Sequence, residues 1–199
     1  MTTSRAVAVL MLVVATLAGC AATPPGPAGP DVDTRGQPEL PVVVARLDGC
    51  GVLRQTAPQD QPAGADRLPD LNLPCLTSGP AVNPARVGGR TTVINLWATW
   101  CLPCRQEMPA LQSASEKYPD VQFLGIDTKD RNDWAQEFLP LVDVRYPQAV
   151  DADGRLLAAL RSPGLPVTVV VDRDGRIVGR QTGKISEARL NQLIATAQR

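Results

Sequence analysis

Beyond Gly88-Gly89-Arg90 the apolar positions of the chain fall into regular runs, and before that point they do not. Residues 92–98 are nearly continuously apolar, as in a strand buried on both faces of a sheet. From Cys101 to Tyr118 the residues Met108, Leu111, Ala114 and Tyr118 keep helical spacing, with Pro109 expected to kink the helix. Residues 121–126 predict a second buried strand, and 133–141 a helix with Trp134, Phe138 and Leu141 on one side. Ala149-Val150 reads as a short extended piece, 156–160 as a brief helix and 167–171 as a third strong strand. Asp172-Arg173-Asp174-Gly175 is a hairpin turn leading to a partner strand over 177–180, and 186–197 a terminal helix. A βαβ unit followed by a hairpin and a closing helix predicts an α/β domain, with a mixed sheet and helices on both faces.

The first ninety residues follow other rules. Residues 6–18 are a continuous apolar run behind one positive charge, short for a membrane span and suited to the hydrophobic region of an export signal. The run ends Leu17-Ala18-Gly19-Cys20, which resembles the lipobox of bacterial lipoproteins. By that resemblance residues 1–19 are a signal peptide, and Cys20 becomes a lipid-carrying N-terminus on the extracytoplasmic side of the cell membrane. An ordinary signal peptide with an incidental cysteine, or a retained N-terminal helix, is the alternative. Prolines 24, 25, 27, 30, 38 and 41, interleaved with glycines, make residues 20–41 an extended tether. Residues 42–199 follow as the folded domain. Val42-Val43-Val44 reads as a short strand, 55–67 as a polar loop and 68–75 as an edge strand, a segment that looks peripheral.

Chemistry concentrates at Trp100-Cys101-Leu102-Pro103-Cys104, between the first strand and its helix. Two cysteines three positions apart close a small disulfide when one precedes a helix and the other lies in its first turn. The partial positive charge and unpaired N–H groups of a helix N-terminus stabilise a thiolate there. Cys101 is therefore the candidate nucleophile and Cys104 the candidate resolving thiol. Composition narrows the options further. Twenty basic and twenty acidic residues leave no net charge to attract nucleic acid or anionic lipid. The absence of His removes the usual base for a catalytic cysteine and the commonest metal ligand. With Cys20 assigned to lipid and Cys101-Cys104 to redox chemistry, Cys50 and Cys75 remain, and leftover thiols of an exported protein usually pair. Such a bond stabilises by about 3 kcal/mol in the chain-entropy model. A second redox pair that exchanges with Cys101-Cys104 is the sharper alternative. Asp127, Thr128 and Asp130, after the second strand, read as surface.

From about residue 68 to 199 the chain resembles the TlpA/ResA-like group of extracytoplasmic thiol-disulfide oxidoreductases. The resemblance rests on the stretch from Asn95 to Cys104, on Glu107-Met108-Pro109, and on Gly164-Leu165-Pro166-Val167-Thr168. It implies a thioredoxin fold in which Pro166 is cis and lies against the disulfide, beside backbone that pairs with substrate. Trp100, adjoining Cys101, is expected to cover part of its sulfur and, with Leu165 and Pro166, to contact substrate. Asn95 stands where cytosolic thioredoxins carry a buried aspartate, and Glu107, one helical turn after Cys104, is expected to influence proton transfer. A solvated surface position is the plainer reading of Glu107. No metal or other cofactor is implied. The resemblance favours a reductant, with apocytochrome c cysteines among its expected substrates and a membrane transporter of the CcdA type to recharge it. A DsbE-like oxidase of exported proteins is the close competitor. A Cu(I)-binding lipoprotein is the alternative of another class, but copper-delivery relatives carry Cys-X3-Cys and a distant His, and this chain has neither. A peroxidase is a further option that the cysteine pattern disfavours.

Overall fold

The computed structural model describes residues 47–56 and 66–199. The signal region 1–19, Cys20, the tether 20–41 and the strand expected at 42–44 lie outside the described residues. Among the described residues no helix is long and apolar enough to cross a membrane.

The sheet is built from β1 (Thr92–Trp97), β2 (Gln122–Thr128), β3 (Gln148–Asp151), β4 (Val167–Val171) and β5 (Ile177–Thr182), in the order β3-β2-β1-β4-β5. β1 runs parallel to β2 and β2 to β3, whereas β4 is antiparallel to β1 and β5 to β4. The helices are α1 (Leu102–Lys117), α2 (Asn132–Leu141), α3 (Arg155–Ala159) and α4 (Glu187–Ala197). The sheet is mixed, as the sequence pattern predicts. β1, β2, β3 and β4 are buried along their whole length. Only β5 alternates towards solvent, which suits an edge strand.

Alternation of side chains divides the core between two faces of the sheet. On one face Val93, Trp97, Phe123 and Val170 meet Met108 and Leu111 of α1 and Leu190, Leu193 and Ile194 of α4. On the other, Ile94, Leu96, Leu124, Ile126 and Val169 meet Leu156 of α3 together with Cys50, Leu68, Leu73, Val82 and Val87. The segment before β1 is thus not peripheral, because it supplies much of the cover for the second face. It does so without the edge strand expected at 68–75, through isolated bridges at Arg67–Arg176, Leu73–Val82 and Cys75–Ala149. Proline explains the difference. Pro74 gives its carbonyl to the N–H of Val150, but Pro69 and Pro74 have no N–H to return, so a continuous ladder cannot form.

Two further expectations change. α2 buries Ala135 and Leu139, whereas Trp134 and Leu141 are 49% and 81% exposed. The buried stripe is displaced by one position, about 100° of rotation. Small Ala135 allows close approach to the core, Phe138 keeps a ring contact with Trp97 at 5.9 Å, and Trp134 lies under the Arg131 guanidinium at 4.9 Å. Secondly, β2 runs on to Thr128, so Asp127 and Thr128 are buried strand residues and not a surface loop.

Gly125 shows how tightly this sheet is packed. A Cβ there would lie 1.8 Å from Oε1 of Gln148. The Gln148 amide fills that space, accepting the Trp97 indole N–H at 2.9 Å and donating to the Tyr146 carbonyl at 3.1 Å.

Candidate active site

β1 delivers the chain to α1 through Ala98, Thr99 and Trp100, and Cys101 is the residue that caps the helix. Its Sγ accepts the Cys104 N–H at 3.3 Å, so one of the unpaired donors of the first turn points at the sulfur. Pro103 stands in that turn, where a missing N–H costs nothing. Cys101 and Cys104 are joined as a disulfide, with Cα atoms 5.3 Å apart. Cys101 is 5% exposed and Cys104 fully buried, and the apolar neighbours Trp100 and Leu102 stand out on either side at 60% and 61% exposure. The Arg105 guanidinium lies over the Phe138 ring at 5.2 Å.

Behind the cysteines the helix turns an acid into the core. Cys104, Glu107, Met108 and Leu111 share the inward stripe of α1, and Glu107 is buried. It is not the solvated surface residue of the plainer reading. Its Oε1 accepts the Asn95 side-chain N–H at 2.8 Å and its Oε2 the Ile185 N–H at 2.8 Å. Burial outweighs these two bonds and the attraction of Lys184, and pushes the carboxyl up to about 7. Asn95 Nδ2 also donates to Thr168 at 3.2 Å, whereas its Oδ1 has no partner among the described residues. An amide flip would turn that oxygen towards Glu107 as an acceptor when Glu107 carries a proton.

The Leu165–Pro166 peptide is cis. β1–β4 pairing sets Leu96 against Val167, so Pro166 enters β4 at the level of Trp97, where the chain leaves β1 for Cys101. Leu165 packs against both core clusters, one of which contains Cys101 and Cys104. Of the expected site residues, the structure therefore brings together Trp100, Cys101, Cys104, Glu107, Leu165 and Pro166 at one end of the central strands.

Cys50 and Cys75 form a second disulfide, with Cα atoms 6.0 Å apart, on the far face of the sheet. The Gln148 carbonyl oxygen lies 3.4 Å from Cys50 Sγ and 3.5 Å from Cys75 Sγ. Among the described residues there is no group of three or more His, Cys, Asp or Glu that could hold a metal ion.

Sequence reasoning missed Asp127. The parallel register of β1 and β2 sets it beside Trp97, buried, with no hydrogen-bond donor to either carboxylate oxygen among the described residues. Burial first, then the charge of Asp130 and a hydrogen bond that the protonated carboxyl shares with it, raise Asp127 to about 8. The available signal was the continuation of the apolar 121–126 pattern through Asp127, but its partner strand is set by tertiary pairing alone.

A strand, a capping cysteine and a helix that starts on it, followed by a cis-proline strand, define a thioredoxin-fold protein with a Cys-X-X-Cys disulfide. The chain belongs to the Redoxin family, which matches residues 63–194, and to its ResA/TlpA-like branch. It is 30% identical to the thiol:disulfide interchange protein HelX of Rhodobacter capsulatus, over 73% of this chain and 85% of that one. It is 26% identical to the thiol-disulfide oxidoreductase ResA of Bacillus thuringiensis subsp. konkukian, over 53% of this chain and 62% of the relative's length. The chain thus spans about three-fifths of the ResA relatives it matches. Among solved structures it is similar to a DsbE-type thiol:disulfide interchange protein of Chlorobium tepidum, with TM-score 0.60 and 27% identity over 66% of this chain and 95% of that one. A secreted disulfide oxidoreductase of Mycobacterium tuberculosis gives TM-score 0.56 and 27% identity over 63% and 95%.

Proposed function

We propose that this protein is an extracytoplasmic thiol-disulfide oxidoreductase working through Cys101 and Cys104. The observation that carries the reading is the Cys101 sulfur on the α1 N-terminus with buried Glu107 one turn beyond Cys104. In the reduced protein the Cys101 thiolate, stabilised by the helix end, attacks one sulfur of a substrate disulfide and expels the other as thiolate. The mixed disulfide then holds Cys101. Cys104 must lose its proton to attack Cys101 Sγ, and Glu107, poised near neutrality, takes that proton while Asn95 keeps a hydrogen bond to it in either state. Attack closes Cys101–Cys104 and releases the second substrate thiol. Trp100, Leu102, Leu165 and Pro166 form the surface that meets the substrate chain.

The finer reading is a reductant for exported protein disulfides, including apocytochrome c cysteines, anchored by lipid on Cys20 and recharged by a CcdA-type membrane transporter. Its support is the family resemblance together with relatives named ResA and HelX. A second reading, an oxidase of exported proteins, draws on the relatives named DsbE. The test is reduction of a disulfide-bonded peptide by the reduced protein. Wild type turns over and traps the peptide when Cys104 is replaced by Ser, whereas a Cys101→Ser protein that keeps the wild-type rate overturns the reading.

A further inference from the structure

The corner after β2 is fastened to the turn that carries Cys101. Lys129 adopts a left-handed backbone with φ 53°, uncommon for a residue with a side chain. This conformation presents its carbonyl to the Trp100 indole N–H at 3.1 Å. One residue on, Asp130 accepts the Thr99 N–H with Oδ2 at 2.5 Å and the Arg131 N–H with Oδ1 at 2.8 Å. The residues immediately before Cys101 are thus held by residues 129 and 130. Asp127, three residues before Asp130 near the end of β2, is buried, with no donor to either oxygen among the described residues.

The charge of Asp130 acts on buried Asp127, and a second negative charge beside it is costly where one of the two is buried. Asp127 is buried, which disfavours its anion, so Asp127 carries the proton. Few other groups act on Asp127. Trp97 faces it from β1 and Val150 from β3, neither of which titrates, and Asp151 is on the opposite side of β3, capping α3. From α1 the shared core receives Cys101, Cys104 and, deeper, Glu107. Arg131, at the start of α2, is engaged by Asp133 at 2.6 Å.

We propose that Asp127 is a positioning residue of the redox site: while protonated it adds no like charge beside Asp130, which clamps the Thr99–Trp100 approach to Cys101, and its ionisation loosens that clamp. The inference rests on the proposed exchange chemistry only for its consequence, a loss of Cys101 reactivity above the Asp127 transition. Its structural half is read in the oxidised protein, where no thiol titrates.

The experiment follows the Thr99 amide resonance of the oxidised full chain between pH 5 and 10. Wild type shows a step near pH 8. Asp127→Asn, neutral and of the same shape, removes the step and keeps the low-pH resonance position. Asp130→Asn removes the like charge and moves any remaining step down by about one pH unit, whereas Glu107→Gln leaves it in place. A step that persists unchanged in Asp127→Asn, or a wild-type resonance that does not respond to pH, overturns the proposal. The peptide-reduction rate then separates the two readings. If wild type does not reduce the peptide, the exchange function fails and the clamp stands on the resonance alone. If wild type reduces it with the same pH profile as Asp127→Asn, the positioning role fails and the function stands.

Discussion

The described residues hold two disulfides on opposite faces of one sheet, and exposure does not separate the one proposed to exchange from the one proposed to be structural. Cys75 is partly exposed, whereas Cys101 is only 5% exposed and Cys104 is buried. What differs is the group facing the sulfur. Cys101 Sγ receives an N–H from the first turn of a sixteen-residue helix, which stabilises the thiolate formed when the bond opens. Cys50 and Cys75 both face the Gln148 carbonyl oxygen at about 3.5 Å, which repels a thiolate. A better thiolate is a better leaving group, so reactivity follows the electrostatics of the sulfur. The spans differ as well, 3 residues against 25, so only the second bond closes a long loop of the unfolded chain.

The largest way to break this comparison is by mutation of the sulfurs. Cys101→Ser is expected to abolish peptide reduction, whereas Cys50→Ala with Cys75→Ala keeps it, and the same peptide assay measures both. The double replacement is expected to cost about 3 kcal/mol of stability in urea unfolding, because the loop over the second face loses its tie. Loss of exchange in the double variant, with the fold retained, would make the second pair part of the redox machinery.

Glu107 sharpens the contrast, since it is a buried acid on the same inward stripe of α1 as Cys104. The ordinary value of 4.5 is raised to about 7 on folding. Between those limits the folded protein binds a proton that the unfolded chain has released, so stability falls as pH rises through this window. The loss amounts to about 3 kcal/mol. Asp127, raised from 3.8 to about 8, acts in the same direction. Glu107→Gln is therefore expected to make the decline between pH 5 and pH 8 shallower in urea titrations and to slow the Cys104 step, with the Cys50–Cys75 bond unaffected. Equal pH slopes in the two proteins would remove Glu107 from the account.

The smallest expected effect belongs to Leu102, exposed beside Cys101. Leu102→Ser is expected to change stability by less than about 0.5 kcal/mol, yet to slow exchange with a peptide disulfide more than with dithiothreitol. Equal slowing with both would mean that Leu102 acts on the sulfur and does not meet the substrate.

How much of this was legible in the sequence depended on whether the signal was local. β1 and β4 were readable to within a residue because strands buried on both faces are apolar throughout, and Cys101 as a helix cap followed from spacing alone. Burial of Glu107 was not readable, since a charged residue three positions after Cys104 fits either a solvated or an inward stripe. Its fate is decided by Asn95 on β1 and the Ile185 N–H before α4, which are distant in sequence. The same holds for Asp127, whose neighbour Trp97 is set by the β1–β2 register, and for α2, where Trp134 and Ala135 compete to face the core. The segment 66–90 looked peripheral because its prolines break every periodic pattern. It fills the second face through single bridges and apolar side chains, an arrangement without a sequence period.

The most direct test is one redox titration in which both bonds are followed separately. The oxidised protein is equilibrated with dithiothreitol mixtures, newly exposed thiols are alkylated, and labelled cysteines are identified by mass spectrometry. Cys101 and Cys104 are expected to label together at around −270 mV, the range of a reductant, with Cys50 and Cys75 protected to below about −300 mV. A Cys101–Cys104 transition near about −120 mV would make the protein an oxidant. Opening of Cys50–Cys75 at the same potential as Cys101–Cys104, or before it, would contradict the account.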